Sequence, residues 1–251
     1  MEMNKPQRLD KVLANLGVGS RKEIKQLVRQ GRITVNDTLA AGPEQLIYPE
    51  QDEVSVNGEA VRYRSTVYFM LHKPQGYISA TEDTRLPVVT ELLSAQDAVF
   101  SVFPVGRLDK DTEGLLLLTN DGVLAHRLLS PKWKVAKRYQ AVIDGAVTEA
   151  DIVAFTEGVV LEDGYKTQPA VLEIAASGPV SHIFVTITEG KFHQVKRMFE
   201  AVGKTVTYLK RLTMGPLTLD EDLALGEYRE LTEKEKQQLF AAVKLSGETS
   251  K

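Results

Sequence analysis

The sequence predicts an α+β protein: a small basic module followed by a larger domain with a mainly antiparallel sheet flanked by helices. Three observations lead there. The opening stretch, 1–62, alternates helix-period segments with short strands and turns. Beyond it, strand-like apolar runs recur at 67–71, 115–119, 139–143, 170–174 and 183–188. Helical patterns at 123–129, 149–157 and 193–201 separate only some of those runs. A regular strand–helix alternation would announce a doubly wound parallel sheet, and this spacing lacks it.

In the first module Leu9, Val12, Leu13 and Leu16 recur at helical spacing, and Gly17 ends that helix. Ser20-Arg21-Lys22-Glu23 matches a capping box for the next one. There Ile24, Leu27 and Val28 form the apolar face, while Lys22, Lys25 and Arg29 share the opposite face. Gly31 stops the helix. Ile33-Thr34-Val35 reads as a strand, Asn36-Asp37 as a turn, and 52–58 as a strand running into a second turn. Residues 63–66 read as a linker, 67–245 as the second domain and 246–251 as a flexible tail.

The chain has 251 residues and 43% hydrophobic content, enough to bury a core. It has no cysteine, which excludes disulfides, thiol catalysis and Cys-ligated zinc. No apolar run approaches a membrane span, and the first residues lack a signal-peptide pattern. A cytoplasmic protein without membrane contact, monomeric, is the expectation. The net charge of -3 conceals blocks: 1–36 carries eight Lys/Arg against three acids, whereas 37–61 carries six acids and no Lys or Arg. Lys132-Trp133-Lys134-Val135-Ala136-Lys137-Arg138 is purely basic, and 191–211 holds six Lys/Arg against Glu200. Local basic patches of this kind suit phosphate backbones better than the total suggests.

The most informative stretch is Gly106-Arg107-Leu108-Asp109-Lys110-Asp111-Thr112-Glu113-Gly114, followed by four leucines and Thr119-Asn120-Asp121-Gly122. Asp109, Asp111, Glu113 and Gly114 occupy the first positions of a calcium loop, but Asn120 stands where a bidentate acid is needed and a strand follows. A turn-capping role for Asp109, with Asp111 and Glu113 in solvent, is the structural alternative. The glycine spacing fits neither phosphate-binding fingerprint. A carboxylate pair for hydrolysis is poorly served by side chains at i and i+2, which diverge in an extended loop.

Two resemblances narrow these alternatives. Arg8-Leu9-Asp10-Lys11, Ser20-Arg21, Gly31-Arg32-Ile33 and Val35-Asn36 together resemble the S4 RNA-binding domain, with Asp37 where that family usually has glycine. The resemblance assigns RNA contacts to Arg8, Lys11, Arg21, Lys22, Lys25 and Arg29. The loop and its leucine strand resemble the catalytic motif of the RNA pseudouridine synthases, in the RsuA/RluB branch. His72-Lys73-Pro74-Gln75-Gly76, Lys137-Arg138-Tyr139 and Glu189-Gly190-Lys191-Phe192-His193-Gln194-Val195-Lys196-Arg197-Met198-Phe199 resemble its other motifs, in the same order.

That resemblance implies an S4 domain joined to a pseudouridine synthase catalytic domain, an isomerase without cofactor or metal. It implies Asp109 as the catalytic carboxylate, Tyr139 stacked on the uracil, and Lys196 paired with Asp109. Val195 packs the base, Arg107 faces the extruded nucleotide, and Arg197 contacts substrate or phosphate. Asp111 and Glu113 hold the loop or face solvent. Lys73 and Pro74 shape the pocket wall, and Trp133 either stacks on RNA or covers the core edge. His193 to Met198 and the ending 217–229 look like the small-subunit type. The expected substrate is 16S ribosomal RNA or an assembling small subunit. A large-subunit (23S) target and a non-catalytic S4 assembly factor are the alternatives.

Overall fold

The computed structural model describes residues 5–49, 51–61 and 66–245. The expected linker lies outside the described residues except for Thr66, and the expected tail lies outside them entirely. The chain divides into two compact units. Among the described residues, one runs to Val67 and takes in Leu93–Ser101; the other comprises Tyr68–Leu92 and 102–245.

In the first unit, helices Leu9–Asn15 and Arg21–Arg29 carry apolar residues into a core of Leu9, Val12, Leu13, Ile24, Ile33 and Ile47. The capping box forms: the Ser20 hydroxyl accepts from the Glu23 amide while the Glu23 carboxylate accepts from the Ser20 amide at 2.7 Å. A four-stranded antiparallel sheet runs in the order Thr38–Leu39, Ile33–Val35, Val54–Val56, Glu59–Val61. Its first hairpin turns on Asn36 and Asp37, at φ 51° and 61°. Both sit in the left-handed region that a two-residue hairpin turn requires, and Asn and Asp tolerate it better than other non-glycine residues.

The second unit is organised on a nine-stranded sheet. Its main path is Val171–Ala176, Val180–Ile187, Lys137–Asp144, Thr205–Met214, Glu113–Thr119, Tyr68–Lys73, Tyr228–Glu230. All neighbours are antiparallel except Thr205–Met214 beside Glu113–Thr119, where Lys210 pairs with Glu113 and Arg211 with Gly114. Tyr68–Lys73 is buried along its whole length and Glu113–Thr119 from Gly114 on, as expected of near-continuous apolar strands covered on both faces. One core layer joins Tyr68, Met70, Leu115 and Leu117 to helix Gly122–Leu129 through Leu124 and Leu128.

The ten-residue strand Thr205–Met214, which lies between the two halves of the sheet, is missing from the apolar runs that mark the other strands. Lys210 and Arg211 interrupt its pattern. The edge strand Tyr228–Glu230 and the helix Glu233–Ala242 escape for a similar reason, because charged side chains dominate them.

Candidate active site

The acidic loop is held from beneath by Lys73. This side chain is fully buried at the end of its strand, and its ammonium donates to the carbonyls of Pro74 (3.0 Å), Asp109 (3.0 Å) and Thr112 (2.9 Å). Burial pulls its pKa down to about 8, although the charges of Asp109, Asp111 and Glu113 act the other way. Ser79 adds a second clamp: its hydroxyl accepts from the Leu108 amide (2.9 Å) and donates to the Leu108 carbonyl (2.8 Å). The Thr112 amide closes a turn on the Asp109 carbonyl at 3.0 Å. Lys73 thus does more than shape a wall; it fixes the backbone that carries the carboxylate.

Asp109 is brought to the helix Gln194–Ala201, whose motif lies far along the chain. One carboxylate oxygen lies 3.4 Å from Lys196 Nζ, the other 3.5 Å from His193 Nε2. The shorter contact of Lys196 goes to Asp111, at 2.6 Å. Two features go beyond the expectations: Lys196 is shared between two carboxylates, and Asp111 is part of the cluster while remaining 68% exposed at its side chain. The i, i+2 carboxylates diverge, but a lysine side chain is long enough to bridge them. Burial raises the Asp111 pKa, yet the hydrogen bond and charge of Lys196 outweigh it, and the carboxyl lies below its usual range. Glu113 accepts a 2.8 Å hydrogen bond from the Tyr208 hydroxyl. Among the described residues no three His, Asp or Glu side chains gather closely enough to hold a metal ion.

Asp109, Arg107, Tyr139, Val195 and Lys196 all line one cavity of about 860 Å³. Tyr139 and Val195 are buried, Arg107 is exposed, and Asp109 is three-quarters buried. Arg197 does not line this cavity. It forms a 2.6 Å ion pair with Asp163, because it follows Lys196 on the helix and points to a different side. Asp163 is a partner for Arg197 that the sequence reading did not name. Trp133 packs against the core with Arg127 and Lys132 over its ring, which selects the core-edge alternative.

The cavity also contains groups that carry no assigned role in the motif reading. Glu189 accepts from the Tyr165 hydroxyl (2.6 Å), the Gln194 amide side chain (2.7 Å) and the Gln168 backbone (2.9 Å), tying segment 165–168 to segment 189–194. Lys137 and Arg211 are buried cations in its wall. The signal for Lys137 was its place two residues before Tyr139. Arg211 carried none beyond a charge interrupting an apolar strand.

In the first unit Lys11, Arg21, Lys22, Lys25 and Arg29 are exposed. Arg8 is exposed too, but its guanidinium is tied to Asp10 at 3.0 and 2.9 Å.

A profile of the RNA pseudouridylate synthase family matches residues 67–201, more than half of the chain, and an S4 domain profile matches residues 7–46. The chain belongs to the RNA pseudouridylate synthase family. It is similar to an uncharacterized RNA pseudouridine synthase of Bacillus subtilis (strain 168), with 53% identity over 91% of this chain and 96% of the relative. It is 40% identical to ribosomal small subunit pseudouridine synthase A of Escherichia coli (strain K12), over 91% and 97% of the two chains. A crystal structure of a pseudouridylate synthase superposes with a TM-score of 0.65 at 36% identity, covering 92% of this chain and 99% of that one. The family places the enzyme among RNA-modifying isomerases of the RsuA type with an N-terminal S4 domain. Among the described residues no helix is long and apolar enough to cross a membrane.

Proposed function

We propose that this enzyme converts one uridine of 16S ribosomal RNA to pseudouridine, with Asp109 as the catalytic carboxylate. The observation that carries the reading is the meeting of Asp109, Tyr139, Val195 and Lys196 in one cavity from three separate segments. The similarity to a small-subunit enzyme over nearly the whole chain favours 16S RNA or an assembling small subunit as the partner.

The target nucleotide leaves its helical stack, which costs a few kcal/mol. Arg107, exposed at the cavity mouth, occupies the space it vacates. The uracil lies against Tyr139, with Val195 as a second wall. Asp109 then faces the sugar, where its carboxylate attacks C1′ or takes a sugar proton. Lys196 and His193 lie against the two oxygens and keep the group oriented. The exposed cations Lys11, Arg21, Lys22, Lys25 and Arg29 supply phosphate contacts for docking, and such contacts position RNA without reading its sequence.

A tritium-release assay on 16S transcript labelled at uridine C5 tests the reading. The wild-type enzyme releases label and Asp109→Asn does not. Equal release by the variant would end the assignment of Asp109. Release from 23S transcript alone would move the target to the large subunit.

A further inference from the structure

We propose that Lys137 and Arg211 form a buried cationic floor that stabilises the negative charge of the uracil as it leaves C1′. The proposal rests on the function given above and assigns the leaving-group side of the same reaction. In the isomerisation the C1′–N1 bond breaks and both electrons depart with the base. The base turns, C5 bonds to C1′, the C5 proton is lost and N1 gains one, so the product is an isomer of the substrate. Any proton that Asp109 removes from the sugar is returned. Whichever role Asp109 takes, the base carries negative charge between the two bonds.

Two cations lie where that charge appears. Lys137 is 7% exposed and Arg211 2% exposed, and both line the cavity. Lys137 and Tyr139 stand two apart on one strand, hence on one face, and Tyr139 is paired directly with Arg211 on the next strand. A base lying on Tyr139 therefore has both cations as close neighbours. Neither cation forms an ion pair among the described residues. Lys137 Nζ donates to the Val135 carbonyl at 2.9 Å, and Arg211 Nε to the Leu115 carbonyl at 2.7 Å. Arg211 Nη2 is buried with no hydrogen-bond partner.

Burying two like charges with neither in an ion pair is unfavourable, because each loses its hydration. Burial and the neighbouring Arg211 both pull the Lys137 pKa down, to about 8, and Glu189 only partly opposes them. Glu189 is engaged by Tyr165, Gln168 and Gln194 and makes no ion pair with Lys137. A fold keeps such an arrangement where preorganised donors meet charge that develops during the reaction. A phosphate is the other anion available. It stays on the strand passing the cavity mouth, where Arg107, Lys110, Lys134 and Lys191 are exposed. The buried pair lies deeper, at the level of the base.

The test measures single-turnover isomerisation, RNA affinity, its salt dependence and thermal melting for Lys137→Met, Lys137→Arg and Arg211→Lys. Loss of one such donor should slow single turnover about 100-fold in Lys137→Met. RNA affinity should stay within twofold and the salt slope unchanged, while Lys137→Arg should recover to within tenfold of wild type. Arg211→Lys, which keeps the charge, should likewise stay within tenfold of wild type in rate and within twofold in affinity. If Lys137→Met does not fold, Lys137→Gln, which retains a donor for the Val135 carbonyl, carries the same expectation. Three results overturn the proposal: an unchanged rate; a loss confined to affinity with a salt slope smaller by about one, which marks a phosphate anchor; or a Lys137→Arg enzyme that melts normally yet is as slow as Lys137→Met. A wild-type enzyme inactive on both ribosomal RNAs would instead overturn the parent function, so the two failures are distinguishable.

Discussion

Gly114→Ala tests the join on which the active-site loop depends. Gly114 sits at φ +108° opposite Arg211, in the one parallel pairing of the main sheet path. A Cβ there would lie 2.6 Å from the Arg211 amide nitrogen and closer still to its carbonyl oxygen. Both are backbone atoms of a hydrogen-bonded strand at a buried residue, so no rotamer change relieves the clash. Ordinary contact begins near 3.5 Å, so the strands must part by roughly 1 Å. That stretches the hydrogen bonds around the pair, worth about 1 kcal/mol each. The positive φ adds about 1–2 kcal/mol for a residue with a Cβ. With two hydrogen bonds weakened, the expected loss is about 3–4 kcal/mol, a large part of the 5–15 kcal/mol typical of a domain. Chemical denaturation read by circular dichroism measures it directly, and the melting midpoint should fall by roughly 6–16 °C. A Gly114→Ala protein melting within 2 °C of wild type would refute the claim that close strand approach requires glycine here.

Lys196→Met should lower turnover about 10- to 100-fold by leaving the part-buried Asp109 without its cation, whereas Asp111→Asn, changing an exposed group, should stay within roughly threefold; steady-state assays of both decide it, and equal losses would sink the distinction. Replacing Lys22, Lys25 and Arg29 together by alanine should weaken RNA binding and reduce the magnitude of the log K against log salt slope by about 2–3, with turnover at saturation retained. Glu235 is held down to about 2 by its hydrogen bonds with Arg229, against burial, and lies 20% exposed. A depressed carboxyl contributes stability above its unfolded value near 4.5, and that contribution is lost as pH falls toward 2. Glu235→Gln should therefore cost up to roughly 3 kcal/mol at neutral pH and flatten the acid limb of a stability-against-pH curve; an unchanged limb would show the pair to be neutral.

The local elements were legible because their causes are local. The Ser20 cap, the Asn36-Asp37 hairpin and the leucine strand ending at Thr119 each depend on residues a few positions apart. The site residues were legible only through the order of their motifs. No periodicity marks Tyr139 as anything but a strand residue, and Lys196 looks like one cation on a basic helix. Thr205–Met214 stayed hidden because the charges that break its apolar pattern belong to side chains whose burial is set by neighbouring strands. The Arg197–Asp163 pair was not legible, because adjacent positions on a helix face about 100° apart and Asp163 lies on a turn far along the chain.

The amino-acid sequence by itself determined the two-part α+β layout, the S4-like opening and the identity of Asp109 as the residue to watch. Those follow from turn chemistry, apolar periodicity and contiguous motifs, which are properties of neighbours along the chain. Only the tertiary structure decided how the three acids divide. Asp109 and Asp111 share Lys196, and Glu113 takes Tyr208. It alone brought Lys137 and Arg211 beside Tyr139, neither of them in an ion pair among the described residues. Such facts depend on strand register and on which side chains lose water together, and linear spacing encodes neither.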